Sequence, residues 1–447
     1  MKIRGGAICG VIAIAAIAVQ AGTSRADVKP GDVIHAANRE AVRGLVPDEL
    51  MPYTVESFPE LAMTIVEPAE YPVHPKYVEA TVKYACQASI GPKGELVGFT
   101  AGQPFPFSEW AKQATRHKCD LTADDPQIGI KLAWNFNFRW QAGGVHLPHT
   151  GQSFWRGKGD NTWKVAQGEY RRTYFSYRAD LLPETTELVP GTELEWAEYN
   201  ETMAPFDMRG QRFLIYRYKN AHLKDDDIWT YVPSLRRVRR VPASQRADAI
   251  FGSDFTFEDL FLFSGYVWEH GWAFEGDPTV LAAMDTRRQC FPRNLPGWNA
   301  SKIAALGDDD AFFACKFGPY RALPFVDETW QKRVTVKLEQ TPKSATHPYS
   351  RRLLWYDKET FSPLMSLAYD REGKPYRLTW YIGHWSESSG IDGDKGKFVN
   401  HMAASMVVNL RDELSNLFLF FTANTQTFSA QESLKYFDTT RLKVEGR

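Results

Sequence analysis

Apolar and polar residues alternate over much of the chain after residue 150, and a period of two is typical of β-strands with one buried face. Residues 333–339 alternate strictly, and the stretch before His384 places four apolar side chains on one face: Tyr376, Leu378, Trp380 and Ile382. Turn-forming residues at 357–359 and 370–374 separate pairs of such runs. The pattern therefore predicts an antiparallel meander of strands.

Residues 27–150 show a different pattern. Residues 38–45 carry apolar side chains at helical spacing, and residues 126–140 do the same, with Pro126 at the start and Gly143 beyond the end. Proline-rich stretches separate these segments. We predict that residues 27–150 form a partly helical region that packs on a sheet made by residues 151–447.

One segment interrupts the alternation in the C-terminal part. Its apolar residues recur at mixed spacings of three and four: Phe257, Leu260, Phe261 and Phe263. Ser253 or Asp254 stands before them and is suited to cap a helix. This pattern predicts a helix over residues 255–264, which we expect to act as a lid.

The first 26 residues have the layout of a cleavable secretory signal. Lys2 and Arg4 precede an apolar run over residues 7–19, and a small-x-small sequence ends at Ala26. The run is shorter than the roughly 20 residues that a membrane-spanning helix needs. We therefore predict cleavage after Ala26 and export to the periplasm. Cleavage removes Lys2, Arg4 and Arg25 and no acid, so the net charge of −1 becomes about −4, which argues against nucleic acid as a partner.

The mature chain keeps four of the five cysteines, and an even number in an oxidising compartment predicts disulfides. Three pairings are open. Nearness in sequence favours Cys86 with Cys119 and Cys290 with Cys315, while four free buried thiols are the alternative. The sequence holds no C-x-x-C, so a cysteine metal site is not expected.

The common enzyme signatures are absent from the sequence. It contains no G-x-S-x-G, no H-E-x-x-H, no phosphate-binding G-x-x-x-x-G-K-[ST] and no G-x-G-x-x-G. In the pair His146 and His149, Pro148 opposes the helical geometry that would place two imidazoles on one metal ion. We therefore predict no catalytic residues, no cofactor and no metal.

Residues 227–260 are the most unusual part of the chain. If residues 236–240 form a strand, their arginines alternate between its two faces, which disfavours a nucleic-acid surface. Trp229 and Tyr231 would share one strand face, opposite the predicted lid. We expect an apolar cavity lined by Trp229, Tyr231, Phe255, Phe257, Leu260, Phe261 and Trp268.

The charged residues of the same stretch suggest a latch for that lid. Guanidinium groups form bidentate pairs with carboxylates. We expect Arg237, Arg239 or Arg240 to pair with Asp254 or Asp259. The alternative interpretation is an ordinary network of surface salt bridges.

Several stretches resemble known proteins. The run WTYVPSLRRVRRVP followed by FGSDFTFEDL resembles the LolA-like superfamily of periplasmic proteins of the outer-membrane lipoprotein-sorting type. AGQPFPFSEW, GIKLAWNFNFRW, APFDMRGQRFLIYRY and YSRRLLWYDKETFSPLMSLAYDREGKPYRLTW resemble one branch, the domain of unknown function 1329 family. The matches extend from about residue 101 to about residue 380. Residues 32–35 do not resemble the usual start of that branch, so the role of the N-terminal region stays open.

The resemblance implies an α+β, mainly β fold: a strongly curved antiparallel sheet, or half-barrel, whose helices cover an apolar concave face. It also implies a non-enzymatic protein, since members of the family are not known as enzymes. We expect a periplasmic carrier or chaperone for a lipid, lipoprotein or other hydrophobic cargo, with an inner-membrane export pump and an outer-membrane protein as candidate partners. The alternatives are an adaptor of an export pump, whose cavity is filled by side chains, and an enzyme acting on an envelope substrate.

Overall fold

The computed structural model describes residues 28–51, 63–115, 118–156, 162–204, 206–250, 253–286, 328–390, 393–412, 414–421, 425 and 428–444. The predicted signal peptide and the predicted pair Cys290 and Cys315 lie outside these residues.

The strands are β1 Val33–Ile34, β2 Met63–Ile65, β3 Ser89–Ile90, β4 Leu96–Val97, β5 Gly144–Arg156, β6 Thr162–Tyr174, β7 Leu194–Ala204, β8 Arg212–Tyr218, β9 Asp227–Val232, β10 Arg237–Val241, β11 His270–Phe274, β12 Thr279–Ala282, β13 Thr329–Pro342, β14 Arg351–Asp357, β15 Pro363–Tyr369, β16 Pro375–Trp385, β17 Asn400–Asn409 and β18 Leu414–Phe421. The α-helices are α1 Pro75–Lys83, α2 Glu109–Thr115, α3 Ile128–Asn137, α4 Ala430–Tyr436 and α5 Arg441–Val444. Short 3-10 helices span Ala36–Val42, Ala179–Leu181, Pro233–Leu235, Ala243–Ala247, Val267–Glu269 and Ser386–Ser388.

One sheet holds sixteen of the strands, in the order β1-β2-β13-β14-β15-β16-β17-β18-β5-β6-β7-β8-β9-β10, with β11 and β12 also paired to β13. Every pairing in it is antiparallel except that of β2 with β13. The predicted mainly β fold is therefore confirmed, and both predicted hairpin turns connect neighbouring strands, β14 to β15 and β15 to β16. The pairing of β18 with β5 joins the C-terminal strands to the earlier ones.

The central strands are buried on both faces, whereas the alternating pattern predicted burial of one face. In β14, Leu353 and Trp355 belong to an apolar cluster that includes Val28 and Met51. The intervening residue Leu354 belongs to a second cluster with α3. Both faces are covered because the N-terminal segment, residues 28–51, packs on one, and the helical layer, which contains α3, packs on the other.

The helical layer sits close to the sheet. The predicted helix over residues 126–140 is confirmed as α3, and residues 38–45 begin with a 3-10 helix. In α3, a Cβ atom at Gly129 would lie 2.2 Å from the carbonyl oxygen of Trp272 in β11, so only glycine permits this approach. Strand β5 begins at Gly144, so the predicted boundary at residue 150 falls inside a strand.

The predicted helix over residues 255–264 is wrong. The segment forms turns, and Phe261 and Leu262 have φ angles of 57° and 68°, which a right-handed helix does not contain. Leu260, Phe261 and Phe263 are buried in the cluster that also holds α3, whereas Phe257 packs in another cluster. Tertiary packing therefore accounts for the spacing that resembled a helix. We call residues 253–266 the acidic loop.

Candidate functional site

The acidic loop is anchored by arginines of the sheet. Asp259 accepts hydrogen bonds from Arg352 and, at 2.8 Å, from the hydroxyl of Tyr349. Asp254 accepts from the Asn409 amide at 2.6 Å, and Arg377 lies 3.5 Å from its carboxylate. All of these groups are buried. Because buried charges are stable only when paired, these contacts fix the loop against β14 and β16.

The predicted latch is therefore wrong. Arg240 pairs with Asp227 on the neighbouring strand β9 and is 69% exposed. Arg237 and Arg239 are also exposed, on the outer strand β10. Asp254 and Asp259 have arginine partners from β16 and β14 instead of the arginines of β10.

Glu258 in the same loop is surrounded by histidines and arginines. Nε2 of His347 lies 3.0 Å from a carboxylate oxygen of Glu258, Nε2 of His270 lies 3.5 Å from it, and Nη2 of Arg352 lies 3.3 Å from it. Burial by itself would raise the pKa of Glu258, but the hydrogen bonds from His270 and His347 and the charge of Arg352 outweigh it and hold that pKa well below its usual range. Glu258 is therefore an anion in the folded protein.

The donor set of Glu258, His270 and His347 has the composition of a zinc site, with its ligand atoms within 4.8 Å of one another. Two observations oppose a cation. The Arg352 guanidinium already pairs with Glu258. The backbone N–H of Tyr349 donates to Nδ1 of His347, so a neutral His347 carries its proton on Nε2, where a metal would bind. We assign the cluster to the anchoring of the acidic loop.

A polar pocket of about 570 Å³ opens beside this cluster. Charged side chains line it, including Lys93, Arg246, Glu269 and Lys343, and Trp268 is its one aromatic wall apart from the two histidines. Such a lining suits a polar ligand better than an apolar one.

The predicted cavity residues divide among three clusters and do not surround one hollow. Trp229 and Tyr231 share a face, as predicted, but this face is covered by Phe437 and Leu442 near the C-terminus. Phe257 packs with Trp196 and other residues of the opposite face. The remaining four lie in the cluster that holds α3: Phe255, Leu260, Phe261 and Trp268. The alternating faces of β8 and β9 separate the first two of these groups.

An aromatic crevice lies where the segment after α3 meets β16 and β17. It has two chambers, which share Arg139, Trp140, Ser362 and Asn400. We name the chamber of about 40 Å³ the inner chamber and that of about 20 Å³ the outer chamber, as labels only. Apolar walls of the inner chamber are Val145, Phe261, Tyr381, Ile382, Val399 and Met402. Apolar walls of the outer chamber are Val73, Tyr77, Trp110, Phe361, Trp385 and Phe398. Of the predicted cavity residues, Phe261 is the one that lines it.

Arg139 lies at the junction of the two chambers. Its Nη1 donates to the carbonyl of Phe136 at 3.0 Å, and its Nη2 donates to Oε1 of Gln141 at 3.2 Å. The guanidinium lies 4.3 Å from the centre of the Phe136 ring and 5.4 Å from that of Phe261. Burial lowers the pKa of Arg139 to about 10, so the group is a cation at neutral pH.

The fold and the crevice define a mainly β protein with a helical layer packed on one large antiparallel sheet. Residues 33–443 match the family described as protein of unknown function DUF1329, and the chain belongs to this family, as its sequence predicted. No curated protein matches the chain. None of the helices in the described residues combines the length and the apolarity needed to cross a membrane.

Three solved structures are similar at low identity. An outer-membrane lipoprotein-sorting protein domain from Vibrio parahaemolyticus is 16% identical, with a TM-score of 0.46 over 71% of this chain and 100% of that one. A DUF1329 family protein from Desulfovibrio piger is 17% identical, with a TM-score of 0.45 over 70% of this chain and 96% of that one. A LolA superfamily protein from Nitrosomonas europaea is 10% identical, with a TM-score of 0.36 over 68% of this chain and 94% of that one.

Proposed function

We propose that the protein is a periplasmic carrier or chaperone that binds a lipid, lipoprotein or other hydrophobic cargo during envelope export. The observation that carries this proposal is the aromatic crevice between the helical layer and the sheet. In this proposal the sheet is curved around the crevice and the helices cover its concave face. The lipoprotein-sorting description of one similar structure agrees with the proposal but does not carry it.

Hydrogen bonds tie the two walls of the crevice, and one of them runs from the hydroxyl of Ser108 to the carbonyl of Lys358 at 2.8 Å. Nε1 of Trp140 donates to the carbonyl of Lys397 at 2.7 Å, and Nε1 of Trp110 donates to that of Glu359 at 3.2 Å. Each chamber is the size of one to about three waters, so an acyl chain requires the walls to separate. A hydrogen bond contributes about 1 kcal/mol net and a buried methylene about 0.8 kcal/mol, so a few methylenes offset the bonds that open.

The periplasmic location rests on two features. The N-terminal sequence has the regions of a secretory signal. The Cys86–Cys119 disulfide, with a Cα–Cα distance of 5.4 Å, is of the kind that persists in oxidising compartments. N-terminal sequencing of the exported protein should begin at Asp27, whereas a full-length, membrane-retained protein contradicts this location.

A plugged crevice tests the binding site. Val145 is half-buried and lines the inner chamber, so Val145→Trp should fill it. We expect this variant to lose most of the fluorescence enhancement of the neutral apolar probe N-phenyl-1-naphthylamine. The matched control is Val334→Trp, because Val334 is 47% exposed on β13 and lies outside the crevice.

The control should bind the probe as the unaltered protein does, and both variants should keep its melting temperature within a few degrees. Equal probe binding by both variants contradicts the crevice as the site. No binding by the unaltered protein contradicts a carrier and favours an adaptor of an export pump.

A further inference from the structure

Arg139 is half-buried, and its pairing differs from that of four arginines of the described residues that are buried. Arg172 pairs with Glu198 at 2.6 Å, Arg217 with Asp226 at 2.8 Å and Arg333 with Asp357 at 2.7 Å. Arg352 pairs with Asp259. Arg139 forms no salt bridge with any carboxylate of the residues that the structure describes, although burial lowers its pKa.

The contacts of Arg139 hold its guanidinium in place without neutralising it. Neutral oxygens of Phe136 and Gln141 accept two of its hydrogen bonds, and a guanidinium has five N–H donors. Gln141 is itself held, since its amide donates to the hydroxyl of Tyr174 at 2.7 Å. The arginine is therefore oriented by the protein and retains donors at the junction of the chambers.

Two other ionisable groups of opposite kind line the crevice, His401 in the inner chamber and Glu359 in the outer chamber. His401 in the inner chamber is 3.2 Å from the carboxylate of Asp394. Glu359 lines the outer chamber, and burial together with the nearby Asp357 raises its pKa. Arg139 is therefore the cation at the crevice that has no carboxylate partner within the described residues, and its positive charge favours an anion.

We propose that Arg139 binds the anionic head group of an amphiphile whose apolar chain occupies the crevice. The head group is a carboxylate or a phosphate, since the planar guanidinium fork matches both. Arg139 is half-buried, and a charge that is partly removed from water is costly until it is paired, so an anionic ligand would supply the counter-charge. The rings of Phe136 and Phe261 position the guanidinium. The location of the chain rests on the proposed function, whereas the charge preference is tested separately.

The first experiment compares two probes with one chain: the fluorescent cis-parinaric acid and its neutral methyl ester. The unaltered protein should bind the acid at least about tenfold more tightly than the ester, the factor expected of a charge-assisted hydrogen bond. Arg139→Gln should weaken acid binding by about 10- to 100-fold and leave ester binding within about twofold.

Two controls separate charge from folding. Arg139→Lys keeps the cation but lacks the planar fork, so it should keep part of the preference for the acid. Arg209→Gln removes an exposed arginine from the turn after β7 and should change neither affinity. If Arg139→Gln does not fold, Arg139→Lys still tests the proposal. Failure of Arg139→Lys to prefer the acid over the ester overturns it.

Competition identifies the source of the anion. Displacement of cis-parinaric acid by hexadecanoate or by hexadecyl phosphate supports a carboxylate or a phosphate head group, respectively. Displacement by inorganic phosphate alone overturns an amphiphile and indicates a free-anion site. Equal binding of acid and ester, unchanged in Arg139→Gln, overturns the head-group inference alone, whereas binding of neither probe overturns the carrier proposal as well.

Discussion

Two arginines meet the acidic loop near residues 259–262 and lie in opposite electrostatic settings. Arg352 pairs with Asp259 and also donates to the carbonyl of Leu262 at 3.1 Å. Arg139 reaches the same loop through the ring of Phe261 and has no carboxylate partner among the described residues. Arg352 is neutralised by a carboxylate of the protein and holds the loop in place. Arg139 is positioned by hydrogen bonds to neutral oxygens, and in our proposal a ligand neutralises it.

The largest expected effect comes from breaking the ion pair between Asp259 and Arg352. Asp259→Asn keeps the shape of the side chain but removes the anion that faces Arg352 and Arg377. Removing one partner of a buried pair typically costs about 3–5 kcal/mol. Urea denaturation should show a loss of this size in the free energy of unfolding. A loss below about 1 kcal/mol would mean that Asp259 does not anchor the loop.

The disulfide offers a second comparison, because it supports the helical layer and not the acidic loop. It joins Cys86, just after α1, to Cys119, just after α2. Cys86→Ser with Cys119→Ser should lower the free energy of unfolding by about 2–4 kcal/mol. The same denaturation experiment measures it, with the unaltered protein under reducing conditions as the matched case. Identical stability of the three samples would contradict a structural role.

Glu195 is the acidic counterpart of Arg139. It is buried and forms no ion pair within the described residues, and burial raises its pKa from 4.5 to about 7 despite the nearby Arg217. A carboxyl whose folded pKa is raised costs stability as the pH climbs from about 4.5 to about 7, and the cost is constant above that range.

Glu195→Gln should therefore match the unaltered protein near pH 4 and exceed its free energy of unfolding by up to roughly 3 kcal/mol at pH 8. Urea denaturation at both pH values provides the measurement. A difference that does not change with pH would show that Glu195 titrates normally.

The smallest effect is expected at the surface, where the latch had been predicted. Arg240→Gln breaks an exposed pair with Asp227, and exposed pairs contribute about 0–1 kcal/mol. A thermal melt of this variant should overlay that of the unaltered protein within a few degrees. A loss of stability comparable to that of Asp259→Asn would indicate that Arg240 holds part of the structure in place.

The fold was largely predictable from local patterns, and the charge network was not. Period-two alternation and turn residues depend on near neighbours in sequence, and they located β13 to β16 and their hairpins. The partner of Asp259 lies 93 residues away, at Arg352, beyond the reach of such patterns. The acidic loop was mistaken for a helix because a buried loop and a helix can bury apolar residues at the same spacing.

The crevice was only partly foreseeable. Phe261 was predicted to contact the ligand and does line the crevice. Arg139 stands in the stretch GIKLAWNFNFRW, which carried the family resemblance, and its adjacent aromatic residues were a visible signal. What distinguishes it from Arg352 is the absence of a carboxylate nearby, and that is a property of the folded chain.

Native mass spectrometry of protein purified from a bacterial periplasm tests the carrier proposal most directly, with the unaltered protein, Val145→Trp and Val334→Trp compared side by side. The account predicts non-covalent adducts with the mass of a lipid or another amphiphile on the unaltered protein and on Val334→Trp, and their loss from Val145→Trp. Clean apo masses for all three proteins, or the same adducts on Val145→Trp, would contradict it.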